Sequence, residues 1–165
     1  FRVGLISDTH SLLRPEAKAF LQGSDLIIHA GDICDPATLD KLGTIAPVTA
    51  VRGNNDRGSW AQQLRETEMV QVGQIWIYAI HDLAQLDIDP LATGVRVVVS
   101  GHSHKPLIKD QDGVLYVNPG SAGPRRFKLP IAVGEVTVDD SRVSARVVEL
   151  ALDQALLLLE RSITT

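Results

Sequence analysis

Hydrophobic positions come in short blocks, and the blocks change character near the middle of the chain. Arg2-Val3-Gly4-Leu5-Ile6-Ser7 is a compact apolar run with the length of one buried strand. Asp25-Leu26-Ile27-Ile28-His29 and Pro47-Val48-Thr49-Ala50-Val51 are two more of the same kind. Two helices are predicted between them. One runs from Pro15 to about Leu21, with Pro15 suited to a first turn. The other runs from Pro36 to about Leu42, where Asp35 can cap the end and Pro36 suits the first position. Strand, helix, strand, helix, strand predicts a parallel α/β layer.

From Met69 onward the blocks pair with their neighbours. Met69 to Val72 and Gln74 to Ile80 flank Gly73 and predict a hairpin, and Val95 to Val99 is a further strand. Leu107 to Lys109 and Val114 to Val117 enclose Asp110-Gln111-Asp112-Gly113, whose Asp-Gly pair favours a tight turn. Ala132 to Val138 and Arg142 to Glu149 pair across Asp139-Asp140-Ser141. The fold class expected is α/β: two mixed β-sheets packed as a sandwich, with helices on both outer faces. Residues 1–150 form the domain body. Ala151 to Arg161 is predicted to be a helix of the same domain, followed by a tail to residue 165. Leu152, Leu156 and Leu159 share one face of that helix, widened by Leu157 and Leu158. The face either packs on its own domain or makes a homo-oligomer contact.

Composition narrows the function. A chain of 165 residues is long enough for one domain with a sizeable core. A net charge of −4 argues against a broad nucleic-acid footprint, although Arg125-Arg126 and Lys128 form a local basic spot. The opening run reads as a strand rather than a secretory leader. No apolar stretch reaches the ~20 residues needed to span a bilayer, so no membrane partner is expected. A single cysteine, Cys34, rules out an internal disulfide and suits a reducing compartment, so a cytoplasmic location is expected.

The ends of the apolar runs carry the candidate chemistry. Asp8 and His10 follow the first, Gly31-Asp32 the second, and Gly53-Asn54-Asn55-Asp56 the third. His81 follows the run ending at Ile80, and Gly101-His102-Ser103-His104 follows the run ending at Val99. Ligands of open α/β sheets bind beyond the carboxyl ends of strands. If these ends meet, two aspartates, one asparagine and four histidines share one site. Residues two apart in an extended segment point the same way, so Asp8 can converge with His10, and His102 with His104. Seven mixed oxygen and nitrogen donors suit two ions better than one. The set suits Mn²⁺, with Ni²⁺, Fe²⁺ or Zn²⁺ as alternatives, better than Ca²⁺ or Mg²⁺. Each motif alone is weak; the ordered set is specific.

Asp8-x-His10, Gly31-Asp32, Gly53-Asn54-x-Asp56, His81 and Gly101-His102-x-His104 resemble the calcineurin-like metallophosphoesterase superfamily. With Asn118-Pro119-Gly120-Ser121, the short length resembles its small single-domain bacterial and archaeal phosphodiesterases. The resemblance spans roughly residues 3 to 140. It implies that Asp8, His10 and His104 hold one metal, that Asn54, His81 and His102 hold a second, and that Asp32 bridges them. It further implies attack on a phosphodiester by a hydroxide between two divalent ions, with Asp32, Asn54 and His102 in catalytic roles. Phosphomonoesters are the near alternative substrate. A retromer subunit of the same fold serves as a binding scaffold with an impaired metal site, and that is the non-catalytic alternative.

Two departures from the family pattern stand out. Asn55 occupies the place where phosphoprotein-directed relatives carry a proton-donating histidine. Asp82 follows the lone histidine where glycine is usual, and either faces solvent or orients His81. His29 reads as a core histidine and Cys34 as a packing residue. Asp56, Asn118, Ser121, Arg125 and Arg126 stay open between structural roles and substrate contact.

Overall fold

The computed structural model describes residues 1–151 and 154–165. A six-stranded sheet is built from β1 (Arg2–Ile6), β2 (Leu26–His29), β3 (Val48–Ala50), β9 (Ala132–Asp139), β10 (Arg142–Ala151) and β11 (Gln154–Thr164), in the order β11-β10-β9-β1-β2-β3. A five-stranded sheet takes β4 (Thr67–Val72), β5 (Ile75–Ile80), β6 (Val95–Val99), β7 (Leu107–Gln111) and β8 (Val114–Asn118), in the order β4-β5-β6-β8-β7. Each sheet is mixed: β1-β2-β3 and β5-β6-β8 run parallel, and the outer pairings are antiparallel.

The period of two along the strands explains the layers. In β1, Val3 and Leu5 face the five-stranded sheet and share the core with Ile28 of neighbouring β2 and with Ile77, Val97 and Leu115. Ile6 faces the other way and packs with Ile27 against Ala17 and Leu21 of α1 (Pro15–Leu21) and Leu42 of α2 (Pro36–Gly43). These strands are buried on both faces, which is why they read as continuous apolar runs. Asp35 caps α2 as expected, its carboxylate accepting from the Ala37 amide at 2.9 Å. Both α-helices thus cover the six-stranded sheet. On the five-stranded sheet the covering element is a single 3₁₀ turn, Leu83–Gln85, whose loop packs Leu83, Leu86 and Ile88 on Tyr78, Ile80 and Val98. A short α3 (Ser59–Gln62) has no periodic signal in the sequence. None of the described helices is long and apolar enough to cross a membrane.

The hairpins form where turn chemistry predicts them. Gly73 has φ +59°, and Asp112-Gly113 closes β7 onto β8 with φ +55° and +80°, the signature of a tight two-residue turn.

The chain end overturns one expectation. Where the sequence predicts a helix over Ala151 to Arg161, Ala151 instead ends β10, and from Gln154 the chain forms β11, paired antiparallel with β10 from Arg142↔Thr164 to Ala151↔Gln154. Leu152, which that helix would use, lies outside the described residues. Leu, Ala, Gln and Glu favour helices by a few tenths of a kcal/mol each. The open edge of β10 offers a full ladder of backbone partners instead, and Ile163 sinks into the inter-sheet core with Leu159 packed beside it. The subunit contact proposed for the helix face therefore loses its premise. Ile163→Ala should cost about 2 kcal/mol in denaturant unfolding. Leu157→Ala, at a position 57% exposed, should stay within about 0.5 kcal/mol.

Candidate metal centre

All the parallel strands point their carboxyl ends at one rim of the sandwich, and the loops that leave them meet there. Those loops adopt a backbone that L-residues avoid. Asp8, His10, Asp32, His102 and His104 have φ of +54°, +45°, +56°, +68° and +61°, and Ser11 and Cys34 join them at +69° and +66°. Each such residue costs roughly 1 kcal/mol, so the surroundings must over-determine it.

A hydrogen-bond network does so. The Asp8, His10 and Ser11 amides donate to the Gly31, Asp32 and Ile33 carbonyls at 3.0, 3.0 and 2.9 Å, zipping the first loop to the second. Buried Asp56 ties the second loop to the third. Its Oδ1 accepts from the amides of Ile33 and Cys34 at 2.8 Å each, and its Oδ2 from those of Asp32 and Gly53 at 3.0 and 2.8 Å. Asp56 is therefore a positioning residue, which decides between the two roles left open for it. The loops approach so closely that a Cβ at Gly53 would overlap the Asp32 carboxylate and amide. One at Gly101 would strike the Ser7 hydroxyl.

Six of the predicted site residues lie in two groups on either side of the seventh, Asp32. In the first group His104 Nε2 lies 3.3 Å and His10 Nε2 4.0 Å from Asp8 Oδ1, while His10 Nε2 is 3.7 Å from Asp32 Oδ2. In the second, Asn54 Oδ1 lies 3.0 Å from His81 Nε2 and 3.1 Å from His102 Nδ1, and His81 Nε2 is 3.5 Å from Asp32 Oδ1. The two oxygens of Asp32 thus face different groups. Asn55 holds both, its amide donating to Oδ1 and its side chain to Oδ2 at 2.8 Å each.

Unsatisfied atoms show what is suited to this place. Asp8 Oδ1 and His10 Nε2 are buried and have no hydrogen-bond partner. Asp8 Oδ2 is engaged, accepting from the Ser7 hydroxyl at 2.7 Å and the His102 amide at 3.1 Å, so the carboxylate is aimed with Oδ1 inward. Glu135, buried elsewhere in the fold, is paired by both Arg2 and Arg146. The residues fit a cation: Asp8, His10 and His104 bring ligand atoms within 4.8 Å of one another, as do Asp8, Asp32 and His81. His81 Nδ1–H donates to the Ala30 carbonyl at 2.7 Å, which leaves the Nε2 lone pair facing the group.

Electrostatics favour the ligand forms of Asp32, Asp8 and His10; at His81 burial pushes the pKa down, but Asp32 and the Ala30 carbonyl outweigh it and raise it, a shift that a cation at Nε2 would have to reverse. Burial pushes Asp32 up, but His81 and the two Asn55 donors outweigh it and hold the carboxyl well below its ordinary range. Burial likewise opposes ionisation of Asp8, and His104 and Ser7 overcome it. Burial lowers His10, only partly offset by Asp32 and Asp8. Ionised carboxylates and neutral imidazoles are the metal-binding forms.

The remaining candidates separate. Burial lowers the pKa of His29 to about 4. Its Nδ1 accepts the Gly31 amide at 3.2 Å and its Nε2 pairs with the Thr9 hydroxyl at 3.0 Å, so it is a core histidine that braces two site loops. Asn118 donates to the Gly101 carbonyl at 2.8 Å, and Ser121 to the Asp8 carbonyl at 3.0 Å; both shape loops. Cys34 Sγ sits 3.6 Å from His10 Nδ1, and burial raises its thiol to about 11. Asp82 faces His102 at 3.9 Å rather than His81. Arg125 and Arg126 are exposed. Sequence reasoning missed the clamp of Asn55 on Asp32, which reaches across from another loop, and that of Ser7 on its neighbour Asp8, because neither residue type announces the partner it takes.

Comparison with known proteins agrees with this geometry. Residues 1–141 match the model of the calcineurin-like phosphoesterase superfamily domain. A probable metallophosphoesterase of Methanothermobacter thermautotrophicus is 37% identical over 158 residues, covering 88% of this chain and 91% of the relative. A phosphodiesterase of Methanocaldococcus jannaschii is 26% identical over 137 residues, 72% of this chain and 82% of its own. In three dimensions the chain resembles Vacuolar Protein Sorting 29 from Cryptosporidium parvum, with a TM-score of 0.84 at 19% identity, covering 99% and 98% of the two chains. The expected sandwich of two mixed sheets is thus the fold observed.

Asp56→Ala should leave four amides, three of them buried, without an acceptor. At about 1–3 kcal/mol for each orphaned group, the loss should be at least ~3 kcal/mol. Denaturant unfolding checks the loss, and calorimetric Mn²⁺ titration should show weakened binding, with Asp56→Asn intermediate in both.

Proposed function

This chain belongs to the calcineurin-like phosphoesterase superfamily, and we propose that it is a two-metal phosphoesterase acting preferentially on small phosphodiesters. One observation carries the reading: seven ligand-competent side chains from five separate loops meet at one rim, with Asp32 between two groups and a buried, unpartnered Asp8 oxygen in one of them. Asp8, His10 and His104 would hold one divalent ion, Asn54, His81 and His102 the other, and Asp32 both. Mn²⁺ is the first choice for this oxygen and nitrogen set, with Ni²⁺, Fe²⁺ or Zn²⁺ as alternatives. Two such ions supply an activated water nucleophile and positive charge against the phosphoryl oxygens.

The chain's own residues set the rest of the chemistry. Asn54 and His102 are exposed at the mouth, where an incoming phosphoryl group arrives first. Asn55 does not protonate a leaving group: an amide is no general acid, and its side chain is committed to Asp32. Nothing in this position replaces the proton donor of phosphoprotein-directed relatives. A cytoplasmic setting suits the lone free thiol, Cys34.

The scaffold alternative draws on the likeness to Vacuolar Protein Sorting 29, which at 19% identity speaks for the fold alone. An impaired site would show substituted ligands, and all seven positions here keep donors.

Chelator-stripped protein should hydrolyse bis(p-nitrophenyl) phosphate only after Mn²⁺ is restored, and His102→Ala should abolish that turnover. Absence of turnover with Mn²⁺, Ni²⁺, Zn²⁺ and Fe²⁺ alike would favour the scaffold. Without a general acid, aryl phosphodiesters should be cleaved at least about 100-fold faster than alkyl ones. Comparable rates for the two, measured under saturating metal, would mean that another group protonates the leaving oxygen.

A further inference from the structure

The two ring nitrogens of His10 meet different surroundings. Nε2 is buried without a hydrogen-bond partner: Asp32 Oδ2 and Asp8 Oδ1 lie 3.7 and 4.0 Å away, too far to accept a proton from it. Nδ1 faces the sulfur of Cys34 at 3.6 Å. A neutral imidazole carries its proton on one nitrogen only. On Nε2 that proton would be buried with no acceptor; on Nδ1 it has the sulfur. Turned over about its own axis, the ring would set a carbon against the sulfur instead.

The sulfur is itself held in place. Cys34 has φ +66°, a conformation that costs a residue with a Cβ roughly 1 kcal/mol. It is kept there by its amide, which donates to Asp56 Oδ1 at 2.8 Å. Its thiol donates to the Asn55 carbonyl at 3.8 Å, which leaves a sulfur lone pair for His10. One side chain therefore ties the His10 ring to Asn55, the residue that fixes both oxygens of Asp32. On the far side of the ring, Asp8 is wholly buried and its Oδ1 unpartnered, which marks the place at which Nε2 is aimed.

We propose that Cys34 is a positioning residue of the centre: its sulfur accepts from His10 Nδ1–H and so fixes the tautomer and ring orientation that turn the Nε2 lone pair toward Asp8 and Asp32. The inference rests on the metal-binding reading of Asp8, His10 and His104 and deepens it. His81 is oriented in the same manner by the Ala30 carbonyl, which no side-chain substitution removes. At His10 the equivalent partner is a side chain and can be deleted.

Long-range ¹H–¹⁵N spectra of the chelator-stripped protein at about pH 8, above the ordinary imidazole range, read the tautomer directly. The His10 signals are assigned by their loss in His10→Gln. Wild type should carry the proton on Nδ1. Cys34→Ala should move it wholly or partly to Nε2, and Cys34→Ser, whose oxygen sits on a shorter bond, should fall between. Calorimetric titration of the same proteins should show Mn²⁺ binding about tenfold weaker in Cys34→Ala and partly restored in Cys34→Ser. A role confined to packing would lower the unfolding midpoint of the stripped protein and leave the tautomer alone. If Cys34→Ala does not fold, wild type and Cys34→Ser carry the comparison. A proton on Nε2 in wild type, a tautomer that ignores the substitution, or a Mn²⁺ affinity unchanged by it overturns the inference. If wild type binds no Mn²⁺ but its His10 tautomer follows Cys34, the metal reading fails and the hold of the thiol on His10 stands.

Discussion

The carboxylate of Asp56 is the constraint on which the rim depends. It gathers four amides from two loops, one carrying Asp32 in left-handed backbone and the other carrying Asn54. Asp32 can hold φ +56° because its own amide and those of Ile33 and Cys34 all terminate on one buried group. From there the order passes outward. Asp32 is placed between the two histidine groups, Asn55 fixes its oxygens, and the first loop is zipped to the second through Asp8, His10 and Ser11. Strain of roughly 1 kcal/mol per residue is tolerated because it is spread over a network with no free member to relax.

Much of this was legible before any coordinates. β1 and β2 are buried on both faces and β3 is half-buried beside them, so their apolar runs are short and unbroken and their ends are sharp. The ends are where Asp8, Asp32 and Asn54 stand. His81 and His102 follow β5 and β6 for the same reason. What periodicity could not reveal is how the polar residues pair across loops. Asp56 looked equally like a turn cap, and Asp82, read as facing solvent or orienting its neighbour His81, has its carboxylate 3.9 Å from His102. Such pairings depend on a separation in sequence of about twenty residues or more, and no local pattern encodes them.

The chain end shows the opposite limit. Four consecutive leucines, Leu156 to Leu159, satisfy a helical stripe and a strand equally, and intrinsic propensity tilts toward the helix. The tilt is small against ten backbone pairings with β10 and the burial of Ile163. The error is a tertiary override of a weak local preference. It matters for function, since the helical face on which a subunit contact was expected is not formed by Gln154–Thr164.

Two buried carboxylates show how the fold handles charge. Glu135 lies between Arg2 and Arg146, whose guanidinium groups also stack 5.1 and 5.7 Å from the Phe20 ring; this group is neutralised and serves the sheet. Asp8 is more deeply buried and has neither lysine nor arginine beside it, only neutral donors on one oxygen and imidazoles near the other. A fold able to supply two arginines to one carboxylate leaves another facing His10, His81, His104 and Asp32. An uncompensated buried charge is costly, and the cost is removed when a cation arrives. A cation at this centre should therefore stabilise the fold as well as equip it for chemistry.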